Sequence, residues 1–174
     1  MLINTENFLH FMLNQKIKFR NGKISDLDNI NTVIKDAIMT WDLPERVKRL
    51  SIGSYLYNSL DFEHINFIVA VDVDCNIIGV ATWNDADNKD TPSACNAILL
   101  HGIYVSPHFH HKNIGTQLIE KINTVAMSGN YKGVLVKAQK DAIGFFISQG
   151  MKKLDVENPS RHYENRFWKD AITW

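Results

Sequence analysis

Four of the seven histidines fall close together, in and just after one apolar run. His101 lies inside the run Ala97–Val105, and His108, His110 and His111 follow beside Lys112, Asn113 and Gly115. An imidazole with an ordinary pKa of about 6.5 can take a proton near neutral pH, so His101 is a candidate general base. Strand alternation would put Leu99, His101, Ile103 and Val105 on one face. The plain alternative is a histidine satisfied within a sheet; Glu63 and His64 are weaker candidates for the same role. The polar loop before Ile114 suggests a second chemistry. If a helix begins there, its first amides lack intrahelical partners and carry partial positive charge, which suits a pyrophosphate. Lys112 adds charge, Gly115 lets a backbone approach closely, and Asn113 tolerates a left-handed conformation. Three neighbouring loop histidines lack the fixed spacing of a zinc site and have no cysteine nearby, so no metal is expected.

The elements that must position these groups follow from periodicity. Ala97–Val105 reads as a buried strand stopped by Ser106-Pro107. Ile114, Leu118, Ile122 and Val125, widened by Ile119 and Ala126, recur at helical spacing. Upstream, residues 5–15 suggest a short helical extension, and Lys16–Arg20 an edge strand. A helix carries Leu27, Ile30, Val33, Ile34, Ala37 and Ile38, started by Ser25 as cap with Asp28 reaching back. Pro44 opens a second helix running to about Leu60. Phe67–Val73 and Ile77–Trp83 form a hairpin around Asp74-Cys75-Asn76. Asn84–Ser93 is polar: either a solvated loop or an acidic rim of Asp85, Asp87 and Asp90 for a cationic amine. Gly133–Lys137 is a short strand, and Asp141–Gln149 a helix ended by Gly150. Met151–Val156 and Arg161–Lys169 would be two last strands.

The 174 residues suit one domain, 1–174, with a sizeable core. Lys plus Arg equals Asp plus Glu at 19 each, so nothing asks for a nucleic-acid or membrane partner. Cys75 and Cys95 make no disulfide framework, and a reduced, cytoplasmic setting is expected. No run is long enough for a membrane span, and the N-terminus lacks the features of a secretory signal.

The central stretch YVSPHFHHKNIGTQLIEKI resembles the core motif of the GCN5-related N-acetyltransferases (GNAT): strand-V-x-P, then Q/R-x-x-G-x-G/A, then helix. His110 stands at the Gln/Arg position, Asn113 at the first Gly, and Gly115 matches the second. Three further segments resemble the family in order: G-x-x-x-D-x-x-x-I at Gly22–Ile30, the hairpin IVAVDVDCNIIGVATW, and AQKDAIGFFISQGM. In the last, Gln139 replaces the usual Asn, Ala142, Phe145 and Gly150 match, and Phe146 replaces a tyrosine.

The resemblance implies an α/β (α+β) fold, a mixed, mostly antiparallel twisted sheet of about seven strands with helices on both faces. It implies acetyl-CoA as cofactor, an amine acceptor on a small molecule or peptide, and direct transfer in a ternary complex. Cofactor contacts are expected at Ile103, Tyr104, Val105, His110, His111, Lys112, Asn113, Ile114, Gly115, Thr116, Gln139, Ala142, Phe145 and Phe146. Backbone amides near Tyr104 and Val105 would polarise the carbonyl. His101 falls where arylalkylamine acetyltransferases of the same superfamily carry a catalytic histidine. With Phe146 unable to donate a proton, Tyr104, Tyr163 or a water would serve the departing thiolate, or no acid is needed. Trp41 and Trp83 are candidates for the acceptor side, Trp41 being equally readable as plain core. The departures at Asn113 and Phe146 keep a rival in view: an acyl-CoA-binding module without turnover. A homodimer through the last strands or the N-terminal arm is compatible with the sequence.

Overall fold

The computed structural model describes residues 17–171; the expected extension at 5–15 lies outside them. In chain order the elements are β1 (Lys18–Asn21), α1 (Leu27–Met39), α2 (Glu45–Ser51), β2 (Asn66–Val71), β3 (Ile77–Asp85) and β4 (Ile98–Val105). Then follow α3 (Ile114–Ser128), β5 (Gly133–Lys137), α4 (Ile143–Ser148), β6 (Lys152–Lys153) and β7 (Arg166–Asp170). The seven strands form one sheet in the order β1-β2-β3-β4-β5-β7-β6. Only β4 and β5 pair in parallel, joined by α3 as crossover; every other pairing is antiparallel. The expected fold class and element order hold.

Each face of the sheet is covered by the helix whose apolar stripe fits it. Ile30, Val33, Ile34, Ala37 and Ile38 of α1 pack on Phe67, Val69, Val80 and Tyr104. Ile114, Leu118, Ile119, Ile122 and Ala126 of α3 pack on the opposite face, against Ile68, Ala81, Ile98, Leu100 and Val134. Side chains such as Ile34 and Leu118, fully buried, each stabilise the fold by roughly 1.5–3 kcal/mol. β4 thus contributes side chains to both layers, Tyr104 to one and Ile98 and Leu100 to the other.

Local details differ from expectation. Ser25 makes no cap. The reciprocal box joins Lys23 and Asp26 ahead of α1, with the Lys23 amide donating to Asp26 Oδ2 at 2.8 Å. Asp26 rather than Asp28 is the anchor, because Arg20 grips both its oxygens at 2.6 and 3.0 Å. That pairing, against some cost of burial, holds the Asp26 carboxyl below its usual pKa. The helix after Pro44 ends at Ser51, far short of Leu60; two 3₁₀ turns and irregular chain replace the rest. The final strands shrink to Lys152–Lys153 and Arg166–Asp170, since β6 finds only two partners on β7.

The Asn84–Ser93 segment is neither plainly solvated nor a free acidic rim. β3 continues to Asp85, which accepts from the Tyr131 hydroxyl at 2.6 Å. Arg161 binds Asp87 and Asp90 at 2.6 Å each, and Lys137 reaches Asp90 at 3.3 Å. Its carboxylates are therefore engaged, Asp87 and Asp90 tying this loop to the β6–β7 connection through Arg161. Among the described residues no helix is long and apolar enough to cross a membrane.

Candidate active site

β4 and β5 pair only from Ile98 to Leu100. Beyond that they part, and the gap widens into a cleft of about 770 Å³. Its walls come from the end of β4, the loop and first turn of α3, the chain leaving β5, α4, and Trp41 and Tyr55 between α1 and β2. Every residue expected to touch the cofactor lines this cleft except Lys112. Lys112 instead sets its ammonium 4.5 Å from the centre of the Phe109 ring.

At one end, the loop after β4 is shaped by its own backbone. A 3₁₀ turn covers Pro107–Phe109, and His110 Nε2 lies 3.0 Å from the Val105 carbonyl. A carbonyl only accepts, so Nε2 donates. His111 and Asn113 take φ of 60° and 63°, the left-handed conformation foreseen at Asn113. Gln117 is the first helical amide to bond back, to Asn113 O at 3.1 Å. The amides of Ile114, Gly115 and Thr116 thus have no carbonyl four residues earlier within the helix, and the positive end of its dipole lies with them. Gly115 makes room for α4: a Cβ there would sit 3.2 Å from Phe145 Cζ.

At the other end, β4 is irregular. Thr82 pairs with Gly102 and Trp83 with Leu100, leaving His101 as the unpaired residue of a bulge. The extra residue resets the alternation. Ile98 and Leu100 share the α3-side core with Ile103 and Val105, whereas Leu99 packs with Leu135 and Trp168 on the other face. Leu99, His101, Ile103 and Val105 therefore do not share a face as alternation had predicted. His101 still lines the cleft, with Nε2 2.9 Å from Asn84 Oδ1. Since an amide oxygen accepts only, Nε2 carries the proton and Nδ1 is left with a lone pair. Its ring is open to the cleft, yet crowding by the walls, and secondly the charge of Lys137, lowers its pKa. That shift favours the neutral imidazole.

The backbone of β4 also sorts its donors. Ser106 N bonds Ile78 O on β3 at 2.9 Å. By two-residue alternation Tyr104 N faces β3 as well, and the amides of Ile103 and Val105 face the gap. The amides of Ile103 and Val105, unlike that of Tyr104, are thus directed away from β3.

The tyrosine candidates separate. Tyr104 lines the cleft but is only 8% exposed, its ring folded over Gly102 and packed in the α1-side core. Burial, then Tyr57 and Tyr55, pushes its hydroxyl pKa well up. Tyr163 is 42% exposed and does not line the cleft. Trp83 does not line it either; it keeps to the α3-side face with Ala81 and packs edge-on against Tyr131 at 6.4 Å. Trp41 does line it, edge-on to Tyr55 at 5.2 Å. Glu63 and His64 lie outside the lining. Among the described residues no three His, Cys, Asp or Glu side chains are grouped to hold a metal ion.

Sequence reasoning missed Asn84 and Tyr55. Tyr55 Oη accepts from Gln139 Nε2 at 2.8 Å across the cleft, and Asp42 N donates to Asp141 Oδ2 at 3.2 Å beside it. Partners 84 residues apart leave no local signal; only the alignment of Gln139 with a motif position pointed near.

Residues 62–152, more than half of the chain, match the family described as acetyltransferase (GNAT) domain. The chain belongs to the GNAT family. Solved GNAT-type structures share its fold. A PaiA N-acetyltransferase from Thermoplasma acidophilum, in complex with coenzyme A, superposes with a TM-score of 0.70 at 17% identity, covering 88% of this chain and 98% of that one. A GNAT-family acetyltransferase from Staphylococcus aureus Mu50 gives 0.64 at 15%, over 90% and 99%. AtaT, complexed with acetyl-methionyl-tRNAfMet, gives 0.60 at 15%, over 88% and 94%. At such identities these likenesses speak for the GNAT fold alone. No curated protein sequence matches the chain.

Proposed function

We propose that this chain transfers an acetyl group from acetyl-CoA to a primary amine of a small molecule or peptide, directly within a ternary complex. One observation carries the reading: the β4–β5 gap has unbonded helix-start amides at one end and an imidazole lone pair at the other. The residues suit coenzyme A. The amides of His111–Thr116 and the positive end of α3 fit its diphosphate, and the apolar wall of Val105, Ala142 and Phe145 fits its arm. Bound there, the cofactor supplies a thioester activated toward amines.

The chain's own groups do the rest. The Ile103 and Val105 amides donate to the acyl oxygen as charge develops on it. His101 Nδ1 takes the proton that makes the amine nucleophilic, directly or through one water, while Asn84 fixes the tautomer. Ala37, Thr40, Trp41 and Tyr104 offer the acceptor a largely apolar seat. AtaT is complexed with an acetyl-methionyl-tRNA; here equal counts of acidic and basic residues supply no net attraction for a polyanion, which favours the smaller acceptor.

The test is thiol release from acetyl-CoA across a panel of amines, beside calorimetry with coenzyme A. Turnover with at least one amine, dependent on His101, is expected. Tight coenzyme A binding without any acyl transfer would favour the module without turnover instead.

A further inference from the structure

Departure of the thioester sulfur leaves a thiolate, and the tyrosine usual at position 146 is absent. Phe146 is buried against Phe167 and has no proton to give. Neither tyrosine foreseen from sequence fills the gap well, since Tyr163 is outside the cleft and Tyr104 is folded over Gly102. A third tyrosine stands in the cleft wall, in the segment that follows α2.

We propose that Tyr55, brought across the cleft from the segment after α2, is the catalytic acid that protonates the departing sulfur. The argument rests on the polarity of one hydrogen bond. Gln139 Nε2 can only donate, so at 2.8 Å it occupies a lone pair of Tyr55 Oη. The phenolic proton is left over, and among the described residues no acceptor takes it. Tyr57, its neighbour in sequence, contrasts: its hydroxyl exchanges a bond with Thr82 Oγ1 at 2.7 Å in the α1-side core.

Position is over-determined. The Trp41 ring meets Tyr55 edge-on at 5.2 Å. The Asp42–Asp141 bond ties the link before α2 to the chain entering α4. Gln139 sits in that same chain, ahead of α4, its carbonyl accepting from the Ala142 amide at 3.0 Å. The acid is therefore supplied from the opposite wall of the cleft that Phe146 also lines. Burial, then proximity to Tyr163, raises the Tyr55 pKa, so the phenol keeps its proton at neutral pH.

This role rests on the acetyl-transfer reading. The bond formed joins the amine nitrogen to the acyl carbon, and the bond broken is the C–S bond, whose electron pair leaves on sulfur. His101 takes the ammonium's first proton; Tyr55 Oη gives the sulfur a proton and recovers, through water, the second proton that the nitrogen sheds as the tetrahedral adduct collapses.

The experiment compares full-length wild type, Tyr55→Phe and Tyr104→Phe with acetyl-CoA and the best amine of the panel, measuring kcat, KM for acetyl-CoA and the pH profile of kcat. Tyr55→Phe keeps the ring and its contact with Trp41. It should lower kcat by roughly ten- to a few hundredfold, leave KM for acetyl-CoA within about twofold, and abolish the alkaline descent of the profile. Unchanged kcat in Tyr55→Phe overturns the proposal. So does a loss confined to Tyr104→Phe, or a loss in Tyr55→Phe matched by an equal rise in KM with the profile unaltered. Wild type without turnover on any amine would remove the acetyl-transfer reading and this role with it, a result distinct from an active wild type matched by an active Tyr55→Phe.

Discussion

Asn113 offers the sharpest perturbation of the diphosphate site, because its backbone rather than its side chain matters. It enters α3 at φ 63° and makes no side-chain cap bond. Left-handed backbone costs an ordinary L-residue roughly 1–2 kcal/mol, and asparagine is among the few that visit it routinely. Replacing it by β-branched valine should therefore shift the loop away from the conformation that presents the His111–Thr116 amides. If binding must restore that conformation, a cost of about 1–2 kcal/mol weakens coenzyme A by roughly five- to thirtyfold. Asn113→Gly, free of the penalty, should stay within about twofold of wild type. Isothermal titration with coenzyme A, alongside circular dichroism to confirm that each variant is folded, reads both. A folded Asn113→Val binding as tightly as wild type would refute the backbone argument. Equal weakening by Gly and Val would shift the weight to the amide side chain.

Three more expectations follow from the same geometry. His101→Gln should lower kcat by about 10²–10⁴ with coenzyme A affinity retained; equal loss in both would show a structural role. In wild type the acid limb of kcat/KM should lie below the ordinary histidine value of about 6.5, because burial and Lys137 lower the His101 pKa. Lys137→Met, removing one of those causes, should move that limb upward, read from rates between pH 4.5 and 8. Asp26→Asn should cost about 1–3 kcal/mol through its lost charged bonds to Arg20 and Lys23, seen as a lower Tm. Because the Asp26 pKa is depressed in the fold, its contribution is present above the unfolded carboxylate value and fades as pH falls through the folded one. The gap in Tm between wild type and Asp26→Asn should accordingly close in acid.

What the sequence disclosed and what it hid divide along the range of the interactions. The α3 stripe, the β4 run and the loop between them are encoded by neighbours within one or two turns, and Ile114, Leu118 and Ile122 sit buried as their spacing required. The left-handed entry at Asn113 was readable because few residue types accept it. The bulge at His101 was not, since it exists only in the pairing of β4 with β3, and it alone separates Leu99 from Ile103. The same holds for Tyr55 with Gln139 and for Arg161 with Asp87 and Asp90, each pair more than 70 residues apart. Charge runs such as Asp85–Asp90 carry no mark of whether a cation will meet them. The family motif located the cleft; the direction of each hydrogen bond, which assigns donors and acceptors within it, came only with the fold.

The most direct trial is a crystal structure of this chain with acetyl-CoA. The account predicts the diphosphate within hydrogen-bond distance of the amides from His111 to Thr116, with the thioester in the β4–β5 gap between His101 and Tyr55. A cofactor seated elsewhere, or one in the gap with its sulfur remote from both side chains, would contradict it.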